Sequence, residues 1–406
     1  MSKVRRELRE QQKLEKKAFN GGVPVSAATG SSSIKNIIPA FVAGVALGAG
    51  VLFAIGSGKQ TAQPVVQPAA PATKTPETKL TIGNLSSIFD AELAGVDIAR
   101  LNLLCAESLP GRSSLGIEES LRAVDQMAET ARQNIARNHH RFVENPSEYE
   151  NSEIFYRIGM MVTTLGKHLG VHYNPTKIVK PTLENKGDLS FFDKADDVFI
   201  SGMMTTPREG TCSSMPVLYV AVGRRLGYPL KLVSAKGHLF FRWEDGKDKM
   251  NFECTNRVAV YDDNHYKNWP YPIKDDEIKM GWYLRSLTPR EEAAIFLSIR
   301  ACTLLYHGRT TEALLAQTQA SLLQPSHPEM NATLGLIAEQ ELASIHGTNY
   351  VHAKESEQSD PFQILQEVEA MNNMNRRTSS PYQPFPNIPN VNIPSPFPNI
   401  PQPFRR

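Results

Sequence analysis

The sequence has few cysteines, almost no net charge and none of the common cofactor motifs. Only four of its 406 residues are cysteine and no CxxC pair occurs, which argues against a disulfide scaffold and against a zinc ribbon. The 44 lysines and arginines nearly cancel the 42 aspartates and glutamates, leaving a formal net charge of +2, whereas a dedicated nucleic-acid binder is usually strongly basic. HExxH, EF-hand, P-loop and GxGxxG motifs are absent, so we expect neither a metal site nor a cofactor.

Hydrophobic residues make up 41% of the chain, which is enough to build a core. Apolar residues recur at helical spacing in the first and last parts of the predicted core, and short β-rich runs lie between them. We therefore expect an α+β domain at 82–285, followed by a helical region at 286–345. The predicted helical segments are 87–140, 153–169 and 289–344, and the predicted strands are 230–233, 238–243 and 250–254.

A basic head, residues 1–36, precedes a long uncharged segment. Residues 1–35 contain eight basic and three acidic residues, a net charge of +5. The nineteen residues 37–55 carry no charge and, at about 1.5 Å per residue, span the roughly 30 Å hydrocarbon core of a bilayer. We therefore predict a transmembrane helix here. The positive-inside rule then predicts a cytoplasmic head and an extracytoplasmic main domain. A buried soluble helix and a cleaved signal peptide are the alternatives.

The segments around the predicted domains are also distinctive. Within the apolar segment, Gly44 and Gly48 form a GxxxG pair, which favours a homodimer of membrane helices. A spacer rich in proline, alanine and threonine covers 56–81. The tail 346–406 is predicted to be disordered, and its proline-rich end contains FPNIP twice; this favours polyproline II, either as a ligand for an aromatic groove or as a plain spacer.

A candidate nucleophile, Cys212, stands at the start of a predicted helix. Gly210 and Thr211 precede it, and an apolar run with helical spacing extends to Leu226, after which Gly227 provides a helix end. Because free N–H groups and the helix dipole favour a thiolate, we expect a lowered thiol pKa and a nucleophilic sulfur. The alternative is that Cys212 is a small buried hydrophobic residue.

His238 and Glu253 lie on two strands of a predicted hairpin. If Trp243 pairs with Asp248 across the turn, His238 pairs directly with Glu253 and the two side chains meet. A thiol, an imidazole that takes and returns the proton, and a carboxylate that fixes the imidazole tautomer form a cysteine-dependent catalytic set. Asn251 lies on the same strand face as Glu253 and is the alternative orienting group.

These features resemble the transglutaminase-like superfamily, which has a papain-like cysteine fold. The chain shares with it a cysteine at the head of a helix, then a Gly-His pair, then an acid followed by threonine. It departs where the usual Asp-Pro-Thr-like string reads Glu253-Cys254-Thr255. More narrowly, the chain over about 85–345 is similar to bacterial members with a trailing tetratricopeptide-type helical region. The strings that carry the resemblance are LGKHLGVHYNP (165–175), PVLYVAVGRRLGYPLKLV (216–233), GHLFFRW (237–243) and FECT (252–255).

The resemblance implies a helix bearing Cys212 that packs on a small antiparallel sheet. It implies that Cys212 is the nucleophile, His238 the general base and acid, and Glu253 the orienting group, in amide hydrolysis or acyl transfer through a thioester. With the apolar segment, we expect this activity at a bacterial inner membrane, on a protein or cell-wall peptide. A catalytically inactive scaffold that binds a protein partner is the alternative. The region 286–345 resembles one and a half tetratricopeptide units and is expected to cap the α+β domain.

Other side chains are candidates for accessory roles. Arg208 and Arg242 flank the predicted cleft, where they would bind a substrate carboxylate or else form surface ion pairs. In an oxidising compartment, Cys105, Cys254 and Cys302 could supply one disulfide. The first pair to test is Cys105–Cys302, since Cys254 would point away from Glu253 on its strand.

Overall fold

The computed structural model describes residues 80–178, 189–253, 255 and 259–346, and within them helices surround a small sheet, as predicted for an α+β fold. The α-helices are α1 (Asp90–Ala94), α2 (Ile98–Cys105), α3 (Ile117–Glu144), α4 (Glu153–Thr163), α5 (Ala195–Val198), α6 (Met215–Arg225), α7 (Asp263–Asn268), α8 (Asp275–Lys279), α9 (Pro289–Tyr306), α10 (Thr310–Leu323) and α11 (Pro328–His346). The strands are β1 (His172–Tyr173), β2 (Glu209–Gly210), β3 (Leu230–Ala235), β4 (His238–Glu244), β5 (Lys249–Glu253) and β6 (Ala259–Tyr261).

The main sheet is an antiparallel meander in the order β3-β4-β5-β6. Side chains alternate between its faces, so Phe241 and Phe252 point together towards α6, where Phe241 stacks on Tyr219 with ring centroids 5.8 Å apart. His238 and Phe240 belong to the opposite face, which the segment from α7 to the start of α9 covers. α6 therefore packs on one face of the sheet, and His238, on the other face, is the first residue of β4 and lies at the end of the sheet.

The register of the β4–β5 hairpin differs from the predicted one by two residues. Trp243 pairs with Met250 rather than with Asp248. The reason lies in the turn, where the Asp245 carboxylate accepts hydrogen bonds from the backbone N–H groups of Lys247 and Asp248 and so keeps both residues in the loop. A shift of two residues leaves every side chain on its predicted face, because the strand period is two. Glu253 thus stays on the face of His238 and reaches it diagonally.

One hydrophobic core runs from the first helices to the last. It contains residues from Leu85 to Leu342, so the predicted boundary at 285/286 does not divide the core. Polar contacts join the same layers. The guanidinium of Arg224 in α6 lies 2.6 Å from buried Glu292 in α9, and Arg300 donates to the carbonyl oxygen of Cys105 at 3.0 Å. The C-terminal helices therefore form part of the support for α6.

The predicted disulfide is absent. Cys105 and Cys302 are free, buried thiols, and burial raises the pKa of each to about 12. They behave as small apolar side chains that fill the core between helices. Cys254 lies outside the described residues.

The predicted membrane localisation is contradicted. Across residues 80–178, 189–253, 255 and 259–346, no helix combines the length and the hydrophobicity needed to cross a bilayer. The 28-residue α3 is long enough, but charged side chains such as Glu118 and Arg132 line its exposed face. The segment 37–55, with Gly44 and Gly48, lies outside the described residues, as does the tail from residue 347 onwards.

Candidate active site

Cys212 lies in a turn that leads directly into α6. The backbone N–H of Met215 donates to the carbonyl oxygen of Thr211 at 2.9 Å, so helical hydrogen bonding already begins at Thr211. Pro216 occupies the first turn, where a backbone donor is not needed. The predicted position of Cys212 at a helix N-terminus is therefore confirmed.

Three hydroxyl groups around Cys212 fasten this turn to the end of α5. Thr211 and Ser214 donate to the carbonyl oxygen of Asp197 at 2.9 and 3.0 Å, and Ser213 donates to that of Val198 at 3.3 Å. The last carbonyl groups of a helix have no hydrogen-bond donors within the helix, and these hydroxyls act as their donors. The backbone on both sides of the sulfur is thereby fixed.

The environment of the Cys212 thiol opposes ionisation. The residue is only 2% exposed, and burial, followed by the negative charge of Glu253, raises the thiol pKa. Hydrogen bonding with Tyr173 and with the backbone N–H of Cys212 itself lowers the pKa only in part. The predicted lowering is therefore wrong, because loss of hydration outweighs the helix N-terminus. In the resting protein the thiol keeps its proton, and attack on a substrate requires a base.

His238 and Glu253 form a direct hydrogen bond. Nε2 of His238 lies 2.7 Å from Oε2 of Glu253, and the imidazole is fully buried, whereas the carboxylate side chain is 12% exposed. The hydroxyl and backbone N–H of Thr255 donate to the other oxygen, Oε1, at 2.6 and 3.0 Å. The carboxylate is thus held on both oxygens, as an orienting group requires.

Electrostatics favour the ionised form of Glu253. Burial would raise its pKa, but the charge and hydrogen bond of His238, together with the two donors of Thr255, hold the pKa below its usual value. The sequence places Thr255 next to Glu253, yet only the folded loop shows that both of its donors converge on one carboxylate oxygen.

The remaining ring nitrogen of His238 is available for chemistry. Among the described residues, Nδ1 is buried and has no hydrogen-bond partner, and no hydrogen bond joins it to the Cys212 sulfur. The structure therefore brings His238 and Glu253 into contact and couples Glu253 electrostatically to Cys212, without a direct Cys212–His238 bond. Catalytic hydrogen bonds are often incomplete in ligand-free enzymes and tighten when the substrate binds.

Tyr173 is a site residue that the sequence analysis missed. The parallel pairing of β1 with β2 sets Tyr173 opposite Gly210, two residues before Cys212. Its hydroxyl donates to the carbonyl oxygen of Lys177 at 3.3 Å, and its pKa is raised by burial and by the nearby charges of Cys212 and Glu253, which places it close to the thiol. Tyr173 belongs to one of the strings quoted for the resemblance, but the sequence contains no signal that joins it to a residue 39 positions later.

Asn251 and Arg242 form a hydrogen bond with each other rather than with His238 or Glu253. Arg242 is 1% exposed, and its Nε donates to Oδ1 of Asn251 at 2.6 Å. Its other donors reach Oδ1 of Asp263 at 2.7 Å and the carbonyl oxygen of Leu284 at 3.2 Å. The guanidinium thus ties the sheet to the segment that covers it, and Asn251 has no contact with His238.

Arg208 stabilises the backbone next to the β1–β2 pair. Its Nη1 donates to the carbonyl oxygen of Leu169 at 2.7 Å, and its own carbonyl oxygen accepts from the backbone N–H of His172 at 3.2 Å. It adopts a left-handed backbone conformation with φ of 65°. These contacts place Arg208 beside the backbone next to Tyr173. Its guanidinium already donates a hydrogen bond to a backbone carbonyl oxygen.

The described residues contain no group of three or more histidine, cysteine or acidic side chains that could hold a metal ion. A polar surface cleft does lie between α2, α3 and α6. Its charged side chains pair with one another, for example Arg100 with Glu118 at 2.6 Å and Arg225 with Asp125 at 2.5 Å. This cleft is separate from the Cys212 turn.

We expect Arg242→Met to destabilise the protein by about 3 kcal/mol, because it leaves Asn251 and the Leu284 carbonyl buried without their donor. Lys249→Met is the matched control: Lys249 contacts the same Asp263 at 2.8 Å but is half exposed, so its loss should cost at most about 1 kcal/mol. Urea unfolding of the two variants measures both values. Equal losses would contradict a structural role for Arg242.

The lowered pKa of Glu253 predicts a specific dependence of stability on pH. The ionised carboxylate contributes stability above pH 4.5, the ordinary value for glutamic acid, and this contribution is lost as the pH falls through the lower pKa of the folded state. Wild type should therefore lose stability relative to Glu253→Gln below that pH, as measured by urea unfolding at several acidic pH values. A relative gain by wild type would show that the folded carboxyl is neutral instead.

Comparison with known proteins adds no family to this description of the site. No family model, no curated protein and no solved structure matches this chain. The geometry around Cys212, His238 and Glu253 is therefore the basis on which a function can be proposed.

Proposed function

We propose that the protein is a cysteine-dependent amidohydrolase or acyl transferase of the transglutaminase-like type, acting on a protein or peptide through a thioester. Cys212 is the nucleophile, His238 the general base and acid, and Glu253 the orienting carboxylate. The observation that carries the proposal is the His238–Glu253 hydrogen bond of 2.7 Å, which leaves a buried, unpartnered Nδ1 on the same imidazole. The membrane anchor is not part of the proposal.

The neutral thiol determines how the reaction starts. Nδ1 of His238 takes the thiol proton as Sγ of Cys212 attacks the carbonyl carbon of the amide, so base and nucleophile act together. The hydrogen bond to Glu253 holds the imidazole in the tautomer with its proton on Nε2 and stabilises the imidazolium that forms. The imidazolium then donates its Nδ1 proton to the leaving nitrogen, the C–N bond breaks, and an acyl thioester remains on Cys212.

The second half of the reaction repeats these roles with a new nucleophile. Water or an amine attacks the thioester carbon while His238 takes its proton, and the C–S bond breaks to restore the thiol. Water yields hydrolysis and an amine yields acyl transfer. The same three residues serve both outcomes.

Tyr173 supplies the second donor of the oxyanion site in this proposal. The backbone N–H of Cys212 is one donor, and the Tyr173 hydroxyl is the other, since Tyr173 pairs with Gly210 just before Cys212 and is electrostatically coupled to the thiol. A donor placed there can hydrogen-bond to the oxygen on which negative charge develops during attack. Burial raises the Tyr173 pKa, which keeps the hydroxyl protonated and able to donate.

The second candidate is a non-catalytic scaffold of the same fold, which binds a protein partner. The observation in its favour is the near-complete burial of Cys212, with a thiol pKa raised above the ordinary range. In a scaffold the thiol would react slowly, and His238 would have no influence on its rate. The two candidates thus differ in a measurable property of one side chain.

Acylation of Cys212 tests the catalytic proposal. We expect p-nitrophenyl acetate to transfer its acetyl group to Cys212, detected by intact mass and peptide mapping, and we expect no transfer at this site in Cys212→Ala. His238→Ala should slow acylation about 100-fold, because removal of a general base typically costs a factor of that order. His139→Ala is the matched control, since His139 also lies beside a glutamate, Glu153, at 3.6 Å, but on the surface. Acylation that is absent, or equally fast without His238, would leave the scaffold as the function.

The role of Tyr173 is tested by comparing two reactions of the same sulfur. Tyr173→Phe should reduce acylation by p-nitrophenyl acetate about 100-fold, because that reaction develops an oxyanion. Alkylation by iodoacetamide develops no oxyanion and should change far less. Equal decreases in the two rates would mean that Tyr173 acts on the thiol alone.

A further inference from the structure

Two neighbouring rings on the covered face of the sheet each carry a buried nitrogen atom that lacks a hydrogen-bond partner among the described residues. The two atoms are Nδ1 of His238 and the indole Nε1 of Trp269. The two rings are in edge-to-face contact, with centroids 4.7 Å apart and planes inclined at 65°. Buried polar groups in folded proteins are nearly always paired, so two unpaired groups side by side indicate a place where partners come from outside the chain.

The protein offers the Trp269 N–H no conventional acceptor. The other rings near Trp269 are those of His265, at 5.5 Å, and Tyr266, at 6.5 Å. They pack against the indole and restrict its orientation. The donor is therefore held in place by aromatic packing while its hydrogen-bonding capacity stays unused, an arrangement that suits a binding group positioned in advance.

We infer that the Trp269 indole N–H binds a carbonyl oxygen of the substrate on the leaving-group side of the scissile amide. This inference rests on the proposed function, in which Nδ1 of His238 protonates the leaving nitrogen. A group bound beside Nδ1 then belongs to the amine part of the substrate, since the scissile oxygen is held at the Cys212 N–H and Tyr173.

A hydrogen bond from Trp269 to the leaving-group side limits the substrates that the site would prefer. In a peptide, the amine part carries its own carbonyl group within two bonds of the leaving nitrogen, so it can accept from Trp269. A primary amide, which releases ammonia, has no such acceptor and would leave the indole N–H unpaired in the complex. The preferred substrate is therefore an amide whose chain continues beyond the scissile bond.

A second tryptophan provides a matched control. Nε1 of Trp282 is also buried and unpartnered among the described residues, but its ring lies beside His327, at 6.4 Å, and His327 has no part in the proposed catalysis. Trp269→Phe and Trp282→Phe each remove one unpaired N–H and keep an aromatic ring. The two variants thus differ in which histidine lies beside the substituted ring, His238 for Trp269 and His327 for Trp282.

Stability is the first measurement. Each substitution removes a buried donor without a partner but also leaves a small cavity, so the two variants should lose similar amounts of stability in urea unfolding. If Trp269→Phe were clearly destabilised while Trp282→Phe was not, the Trp269 N–H would have a structural partner and the inference would be wrong.

Selectivity of Cys212 alkylation is the second measurement. N-chloroacetyl-glycinamide carries a carbonyl group beyond its reactive amide, and N-propyl-chloroacetamide has similar length without that group. Wild type and Trp282→Phe should favour the first reagent by roughly three- to ten-fold, the value of one neutral hydrogen bond, and Trp269→Phe should react with the two at nearly equal rates.

The outcomes separate the inference from the function on which it rests. An unchanged preference in Trp269→Phe overturns the role of Trp269, even where His238→Ala slows acylation. Acylation that is indifferent to His238 overturns the proposed function. A Cys212 that neither reagent alkylates overturns both.

Discussion

The hydrogen bond between His238 and Glu253 is the interaction on which the rest of the site depends. It joins two neighbouring strands diagonally, it engages Nε2 of the imidazole, and it leaves Nδ1 without a hydrogen-bond partner among the described residues. Thr255 holds the second carboxylate oxygen, and the ring of Trp269 packs against the imidazole. An ionised carboxylate in such a buried position is stable only because it is paired and hydrogen-bonded on both oxygens.

Burial disfavours the charged form of both acidic groups of the site, yet their net pKa shifts are opposite. Glu253 has donors and a neighbouring imidazole, which together outweigh the loss of hydration, so its pKa is lowered. Cys212 has weaker compensation and a negative neighbour, so its pKa is raised. In the proposed mechanism the thiol proton passes to His238 at the moment of attack, because the site favours an ionised carboxylate and a neutral thiol at rest.

The supporting structure extends well beyond the sheet. Hydroxyls on either side of Cys212 attach its turn to α5, the β1–β2 pair brings Tyr173 to it, and Arg224 attaches α6 to Glu292 in the C-terminal helices. Arg242 performs the equivalent task on the other face, where it connects the sheet to the segment that carries Trp269. Each side chain of the site therefore belongs to a different part of one continuous core, and substitutions remote from the sulfur can displace it.

Features that depend on local periodicity could be predicted from the order of the residues alone. The helix that follows Cys212, the β4–β5 hairpin and the shared face of His238 and Glu253 could be predicted because strand and helix periods are short and regular. The register could not, since it depends on the hydrogen bonds of Asp245 within the turn. Tertiary structure alone decided the approach of Tyr173, the pairing of Arg242 with Asn251 and the protonation of the thiol. These depend on contacts between distant segments and on the exclusion of water, and no short stretch of sequence records either of them.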